Sequence, residues 1–402
     1  MSASTTTQAS GGTTAEAPPR VDLLGMDRAA LGAFFAELSE KPFRVTQVMK
    51  WLHHRGVHDF EEMTDLSRSL RSRLAELAYV EMPSIASENV SRDGTRKWLL
   101  ELHDGQRVEM VFIPEKDRGT LCISSQVGCA LDCSFCATGK QGFNRNLSAG
   151  EIVAQVRLAG RALAEVDLGR PKAVTNVVLM GMGEPLLNFD EVTRAISILL
   201  DDLGYGISKR RLTLSTAGVV PALRRLGEVT DVALAISLHA PDDALRDQLV
   251  PINRRYPIAE LLDATREYLS HLGEWRSVTI EYTLMDGVND SPAQARALAA
   301  LLADMKDKVK INLIPFNPFP GSGYARPKDD RVRAFQTFLL DQGFATMLRT
   351  TRGEDIDAAC GQLAGGFQDR TRRRERYIAR LKDHGAITHA STDVSTDATR
   401  AH

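Results

Sequence analysis

The sequence predicts an α/β protein organised around a partial (β/α) barrel, which a small N-terminal helical module and a short β-meander precede. After Gly119, short runs of β-branched residues alternate with helical stretches, which is the pattern of parallel βα units. Six or seven such units are more than a dinucleotide-binding domain needs. A chain of 402 residues also has room for one domain of barrel size and a smaller one.

The composition predicts an ordinary globular protein of the cytoplasm. The chain is 43% hydrophobic and 25% charged, and it contains no apolar run of about 18 residues that could cross a membrane. Residues 1–20 lack the features of a secretion signal and are predicted to be a disordered tail. Five cysteines, an odd number, fit a reducing compartment better than a disulfide framework. The formal net charge of -2 gives no global signal for nucleic-acid binding, so RNA contacts would depend on local basic patches.

Residues 21–80 are predicted to form a helical accessory module that binds RNA. Apolar residues recur there at helical spacing in three stretches. The repeating positions are Leu31, Phe34, Phe35 and Leu38, then Val45, Val48, Met49 and Leu52, then Leu66, Leu70, Leu74 and Leu77. The second helix also has a basic and partly aromatic face, which is either a solvated helix face or a surface for RNA. That face comprises Lys41, Arg44, Lys50, Trp51, His53, His54 and Arg55.

Residues 81–115 are predicted to form a β-meander that links this module to the barrel. Asp-Gly turns at 93–94 and 104–105 separate three runs rich in strand-forming residues. Glu109 interrupts the third run. Because side chains alternate along a strand, the simplest expectation is that its carboxylate points outward to solvent.

Residues 116–350 are predicted to form the barrel, with seven strands. Functional residues of such barrels follow the C-terminal ends of the strands, so the loops at those ends are the candidates for a site. The predicted strands are Thr120–Ser125, Val174–Met180, Arg211–Thr216, Val232–Leu238, Val278–Leu284, Val309–Ile314 and Ala345–Arg349.

The loop after the first barrel strand contains Cys129, Cys133 and Cys136 in C-x3-C-x2-C spacing. Three thiolates in eight residues predict a metal site. Structural zinc sites usually have four protein ligands and complete iron–sulfur sites have four cysteines, so a set of three indicates a metal with one open coordination position. A structural zinc site completed by a distant histidine is the alternative.

Polar side chains also follow four other predicted strands. The turn Gly183-Glu184-Pro185 lacks the third glycine of the dinucleotide-binding fingerprint. Ser215, Ser237 and His239 offer hydroxyl and imidazole groups to a ribose or a carboxylate. Asn317 lies in a loop stiffened by prolines, where its amide suits the edge of an adenine. Together with the cysteine loop, these loops predict one site at that end of the barrel.

Two cysteines lie outside the cluster. Cys122 belongs to the first barrel strand, and Cys360 lies in the segment 351–368. Isolated cysteines are usually buried small hydrophobic residues. Three glycines soon after Cys360 nevertheless predict a flexible, loosely packed segment with an exposed and reactive thiol. Residues 369–402 are predicted to form a basic helix, Arg370–Arg376, that is either solvated or in contact with RNA, followed by a disordered tail.

From about Arg107 to Gly366 the chain resembles the RlmN/Cfr family of radical S-adenosylmethionine (SAM) enzymes, and within it the dual-specificity adenine-C2 methyltransferases of 23S rRNA and tRNA. Matches spread over several loops are much more specific than a lone cysteine triad. The matching runs are Ser124–Cys129, Gln141–Leu147, Met180–Pro185, Leu214–Thr216, Ser237–His239, Ile314–Pro318 and Ala359–Leu363.

The resemblance implies a partial radical-SAM barrel and roles for individual residues. The three cysteines of the loop would hold one [4Fe–4S] cluster per chain, and SAM would bind its open iron. Cys360 would carry the methyl group, Cys122 would be its resolving partner, and Glu109 would match the family's proton acceptor. The residues implied to bind SAM are Gly183, Glu184, Ser215, Ser237, Leu238, His239 and Asn317.

The resemblance also implies the reaction. Two SAM molecules per turnover would methylate C2 of an adenine in the peptidyl-transferase centre of 23S rRNA and of the adenine next to the anticodon in tRNAs, through S-methylcysteine at Cys360. Product release would leave a Cys122–Cys360 disulfide, which cellular thiols reduce. The expected enzyme is a cytoplasmic monomer without membrane contact that receives electrons from a donor such as flavodoxin. The alternatives are C8 methylation of rRNA, as in Cfr, and a non-catalytic RNA-binding protein stabilised by zinc.

Overall fold

The computed structural model describes residues 20–169, 172–373 and 375. The predicted N-terminal tail, apart from residue 20, therefore lies outside the described residues, as do residues 374 and 376–402 of the predicted C-terminal helix and tail. In the described part of the chain, no helix is both long enough and apolar enough to cross a membrane.

Three helices form the N-terminal module, as their spacing predicted. They surround a hydrophobic core of their own. Asp27 and Ser67 begin the first and third helices by accepting a hydrogen bond from a backbone N–H of the first turn. A parallel pair, β1 (Val21–Asp22) and β2 (Ala78–Tyr79), joins the start of the module to its end. The helices are α1 (Arg28–Glu37), α2 (Phe43–Met49), which continues through a π-helical turn at Lys50–His54, and α3 (Arg68–Leu77).

A second, small sheet lies beside the cysteine loop and was not predicted. It is the antiparallel hairpin of β7 (Gln126–Gly128) and β8 (Phe143–Asn146). The strands of this hairpin enclose the three cysteines, so the hairpin fixes both ends of the loop.

One sheet of ten strands runs through the rest of the described chain. In spatial order its strands are β3 (Ser84–Val90), β4 (Arg96–Glu101), β5 (Arg107–Pro114), β6 (Gly119–Cys122), β9 (Asn176–Leu179), β10 (Leu212–Thr216), β11 (Ala233–Ser237), β12 (Val278–Leu284), β13 (Val309–Pro315) and β14 (Ala345–Leu348). The seven strands from β6 to β14 in this order are parallel, as predicted, and β3 to β6 are antiparallel. Because β3 and β14 form opposite ends of the sheet, the barrel is partial.

The meander is part of the barrel sheet. Strand β5 pairs with β6, and Val111 lies opposite Cys122. The two Asp-Gly turns lie where they were expected, with positive φ at Gly94 and Gly105. As a consequence, the first residues of β5 lie beside the C-terminal end of β6, where the strand-end loops begin.

Helices connect the parallel strands, as parallel pairing requires. Ser148 and Glu151 form a capping box at the start of α5. The apolar faces of the connecting helices pack on the sheet and form one large core. The helices are α4 (Ala137–Gln141), α5 (Ala149–Ala162), α6 (Phe189–Leu200), α7 (Val220–Val229), α8 (Asp243–Leu249), α9 (Ile258–Ser270), α10 (Pro292–Leu301) and α11 (Asp329–Asp341).

Candidate active site

The three clustered cysteines line one cavity of about 170 Å³ at the C-terminal ends of the parallel strands. The backbone sets the shape of their loop: Cys136 N donates to Cys133 O at 3.2 Å, and Cys129 N donates to Gly142 O at 2.7 Å. Gly128 has a φ of +78°, and a Cβ there would lie 2.3 Å from the Gly142 carbonyl oxygen. Only glycine fits this close approach, so the geometry of the loop requires glycine at position 128.

The donor set fits an iron–sulfur cluster. All three thiols are free. Burial raises the pKa of Cys129 to about 12 and raises that of Cys133 well above its usual range, and in each case the neighbouring thiols add to the shift. Thiols buried this close together ionise only when a cation compensates them, which is what a cluster supplies.

The Gly-Glu-Pro turn lines the same cavity. Gly183 has a φ of +103°, and a Cβ would lie 2.6 Å from that of Gln126. The Glu184 carboxylate is buried and accepts hydrogen bonds from Leu186 N at 3.0 Å and Ala217 N at 2.8 Å. Burial raises its pKa despite these bonds. The turn therefore holds one carboxylate, already oriented by backbone donors, at the cavity wall.

Ser215, Ser237 and His239 also face this cavity. The two serine hydroxyl oxygens are 3.5 Å apart. His239 adopts a φ of +60°, and its Nδ1 accepts a hydrogen bond from Thr283 N at 3.0 Å, so Nε2 carries the proton. Burial lowers the pKa of His239 to about 3, which keeps the imidazole neutral. The site therefore offers two hydroxyls and one neutral N–H donor.

Two of the expected SAM-binding residues have other contacts. The Leu238 side chain is fully buried in the core and does not line the cavity. Asn317 lines it, but its amide oxygen accepts from Thr351 Oγ1 at 3.1 Å and its nitrogen donates to Cys360 O at 3.4 Å. Asn317 thus joins the proline-rich loop to the Cys360 segment, a contact that the sequence did not predict.

A second cavity, of about 80 Å³, adjoins the first and brings Cys122 and Cys360 together. Cys136 and Asn317 line both cavities. Burial raises the pKa of Cys122 to about 12, and the charge of Cys360 adds to the shift. The structure therefore places the two remaining cysteines beside each other and next to the three clustered ones.

The Cys360 segment is closely packed, so the prediction of a loose, flexible run was wrong. Ala137 N donates to Gly361 O at 2.8 Å, and Thr138 Oγ1 donates to Leu363 O at 2.7 Å. A Cβ at Gly365 would lie 2.3 Å from the carbonyl oxygen of Arg107. The glycines therefore allow close backbone contact with β5 and the cysteine loop, and the thiol is only partly exposed.

Glu109 points inward, which contradicts the expected outward alternation. Its side chain is buried, because the Cys360 segment covers that face of β5. The carboxylate accepts a hydrogen bond from Ala364 N at 2.8 Å and lies 3.4 Å from Lys97 Nζ. Burial raises the pKa of Glu109, although Lys97 opposes the shift. The residue lines neither cavity but supports the segment that carries Cys360.

Sequence reasoning missed several charged residues of the site. Arg349, directly after β14, lines both cavities, and the charge of Cys360 raises its pKa. Arg246, fully buried in α8, donates to the carbonyl oxygens of Ala217, Ser237 and Leu238 and so joins two strand-end loops. The strand-end rule would have found Arg349, whereas nothing in its local sequence marks Arg246.

Part of the predicted RNA surface is occupied by internal contacts. Trp51 is buried and donates its indole N–H to Asp65 at 2.5 Å, because α2 turns this side chain into the module core. His53 is also largely buried. Arg373, from the predicted basic helix, donates to the carbonyl oxygens of the cysteine loop. The side chains of these three residues therefore do not belong to solvated helix faces.

Comparison with known proteins finds similarity in two parts of the chain. The sequence profile described as "Ribosomal RNA large subunit methyltransferase N-terminal domain" matches residues 21–80, and that of the "Radical SAM superfamily" matches residues 123–299. A solved structure of a radical SAM methyltransferase from Sphaerobacter thermophilus is similar with a TM-score of 0.78 and 44% identity. This similarity covers 86% of the chain and 99% of that structure.

Two relatives are similar over nearly their full length. A Marinobacter nauticus protein named dual-specificity RNA methyltransferase RlmN is 59% identical over 363 residues, which are 90% of this chain and 98% of the relative. A Marinomonas protein of the same name is 56% identical over 361 residues, or 89% and 97% of the two chains.

Proposed function

Because the chain belongs to the RlmN family of radical SAM RNA methyltransferases, we propose that it methylates C2 of one adenine in the peptidyl-transferase centre of 23S rRNA and of the adenine next to the anticodon in tRNAs. The observation that carries this proposal is the shared cavity of Cys122 and Cys360 beside Cys136. An ordinary methyltransferase needs no pair of thiols outside its cofactor site. Methyl transfer through a protein sulfur requires one thiol to carry the carbon and a second thiol to release the product from the enzyme.

Radical SAM enzymes contain a [4Fe–4S] cluster and SAM. Cys129, Cys133 and Cys136 would hold the cluster. When bound, the two groups supply the radical chemistry that C2 of adenine requires, because this carbon lies between two ring nitrogens and is a poor nucleophile. The residues that would bind SAM are Gly183, Glu184, Ser215, Ser237, Leu238, His239 and Asn317. Leu238 would contribute through its backbone, since its side chain is buried in the core.

Three residues of the chain itself have the remaining roles in the reaction. Cys360 carries the methyl carbon to the base as a covalent link between its sulfur and C2. Glu109, which lies behind the Cys360 segment and outside both cavities, accepts the C2 proton once that segment moves to admit the base. Cys122 then attacks the Cys360 sulfur, and the sulfur–carbon bond breaks as the disulfide forms. The departing methylene carbon keeps the electron pair of that bond and takes up a proton to become the methyl group, and cellular thiols reduce the disulfide. The position of Cys122 and Cys360 at one cavity supports the roles of these two cysteines.

The target adenine must leave its stack to enter the mouth of the barrel, so the enzyme extrudes the base from folded RNA. The exposed basic residues of the helical module would contact the RNA backbone. An electron donor such as flavodoxin, a monomeric state and a cytoplasmic location complete the proposal.

An anaerobic assay tests this function. The holoenzyme is incubated with methyl-labelled SAM, a reductant and either protein-free 23S rRNA or tRNA, and the modified adenine is mapped by mass spectrometry. We expect label at C2 in both RNAs. Label at C8 would replace the proposal by the Cfr-like activity, and a colourless zinc-loaded protein without transfer would replace it by RNA binding alone.

A further inference from the structure

A basic cavity of about 560 Å³ lies between the helical module and the barrel, away from the site described above. It is lined by the C-terminal half of α5, by the turn that ends α2, and by the segments that lead into β9 and β10. Those segments precede their strands, whereas the cysteine loop follows one. The cavity therefore lies at the opposite end of the sheet from the catalytic mouth.

Among the described residues, the charged side chains that line this cavity are all cationic. Arg157 lies in it, and Arg161, Lys172 and Arg55 lie around it. Within the described ranges, no Asp or Glu side chain lines the cavity. Cations held this close together repel one another unless an anion lies between them.

Arg157 is buried without enough partners. Its side chain is only 6% exposed. One terminal nitrogen donates to the Gly56 carbonyl oxygen, which anchors the guanidinium to the module. The other terminal nitrogen and Nε have no hydrogen-bond partner in the described structure. A buried guanidinium with unused donors is costly, and native proteins usually satisfy such groups with an ion or water.

Two neighbours of Arg157 also have unused polar atoms. Both ring nitrogens of His53 and the hydroxyl of Tyr205 are buried without a partner among the described residues. The two rings are 5.5 Å apart. Burial and the charge of Arg157 lower the pKa of His53 to about 4, so the neutral ring supplies an N–H donor. A cation, an imidazole N–H and a phenol O–H thus lie together in the wall of the cavity.

We propose that this cavity is a binding site for a phosphate group. Phosphate offers more acceptor oxygens than a carboxylate, and the free ion also carries more charge, which matches donors of three chemical types among several cations. The phosphate is either free or a diester of an RNA strand that passes over the seam between module and barrel. The ligand joins Arg157 of the barrel to His53 of the module, so its binding stabilises their mutual contact.

Two variants and one control test this site in the full-length holoenzyme. Arg157→Met removes the buried cation and keeps most of its volume. Gly160→Leu, on the same wall, adds bulk to the cavity and removes none of the proposed donors, and a Cβ at Gly160 meets no atom within 4 Å. Arg333→Met, on the exposed face of α11, is the matched control. Circular dichroism and iron content report whether each variant folds.

Calorimetric titration with inorganic phosphate, in chloride buffer, supplies the first measurement. We expect saturable binding to the wild type and to Arg333→Met, about tenfold or more weaker binding to Arg157→Met, and weaker binding to Gly160→Leu as well. A titration with a short oligouridylate, which lacks the target base, separates the sources. RNA binding that depends on Arg157 and competes with phosphate identifies a diester site, whereas Arg157-dependent binding of phosphate alone identifies a site for the free ion.

Two results overturn the proposal. The first is the absence of saturable binding of either ligand to the wild type. The second is unchanged binding in the folded cavity variants. If Arg157→Met does not fold, Gly160→Leu alone decides, because it leaves every proposed donor in place.

Discussion

At the scale of single residues, Cys122 poses a chemical difficulty that Arg349 resolves. A thiol with a pKa of about 12 is ionised at pH 7 in only about one molecule in 10⁵, yet the proposed release step needs a thiolate. Arg349 lines the cavity of both cysteines, and its charge opposes the rise in the pKa of Cys122. We infer that this guanidinium promotes attack by Cys122 on the covalent link at Cys360.

Arg349→Met should therefore slow release more than formation of the link. Loss of the cation lowers the thiolate population of Cys122, so a part of the enzyme should accumulate as a protein–RNA adduct, measured as a shifted band in a denaturing gel. Arg349→Lys, which keeps the charge, should accumulate less. Full turnover in Arg349→Met, or loss of turnover without any adduct, would contradict this role.

Glu109 is the residue proposed to accept the C2 proton. Glu109→Gln keeps an oxygen to accept from Ala364 N but removes the base, so transfer to C2 should fall by about 100-fold or more while iron content is unchanged. In the wild type, the pKa of Glu109 is raised; activity should therefore be present above that pKa and be lost as the pH falls through it. The test is labelled-methyl transfer against pH, and an unchanged acidic limb in Glu109→Gln would remove Glu109 from the mechanism.

At the scale of elements, the cysteine loop depends on a contact from a distant part of the chain. Arg373 donates to Leu131 O at 2.7 Å, Cys129 O at 2.8 Å and Ala130 O at 3.0 Å. These carbonyls belong to the irregular loop between β7 and α4. One guanidinium thereby satisfies and orders the backbone on which the cluster cysteines are placed.

Arg373→Met should loosen the cysteine loop without unfolding the barrel. Bonds to a charged donor contribute about 1.5–3 kcal/mol, so we expect the cluster to be lost about tenfold faster on exposure to air, measured as bleaching of its visible absorption. The exposed Arg370 offers a matched control, Arg370→Met. Equal bleaching rates in both variants would show that the contact is not needed to retain iron.

At the scale of the whole molecule, much of the fold and of the site was predictable because periodicity and parallel strands are local signals. The seven barrel strands and the three module helices follow from residue spacing. The strand-end rule brought Glu184, Ser215 and Ser237 to one cavity because the C-terminal ends of parallel strands meet at one edge.

The contacts that were not predicted join segments far apart in sequence. Ala364 N donates to the Glu109 carboxylate, which is 255 residues away in sequence, and Arg373 donates to Leu131 O, which is 242 residues away. No local pattern encodes such pairs, so Glu109 was expected to point outward and Arg373 to be solvated or in contact with RNA. Similarly, the glycines after Cys360 indicate flexibility by composition, whereas in the fold they allow close packing.

The central claim is that Cys360 carries carbon to RNA and that Cys122 releases it, and the two alanine variants test it most directly. Each is purified anaerobically, incubated with SAM, reductant and RNA, and separated on a denaturing gel. Cys122→Ala should accumulate a protein–RNA adduct that survives denaturation and disappears after ribonuclease treatment, whereas Cys360→Ala should form none and transfer no methyl group. Normal turnover in Cys360→Ala together with no adduct in Cys122→Ala would leave both residues as ordinary thiols and contradict the mechanism.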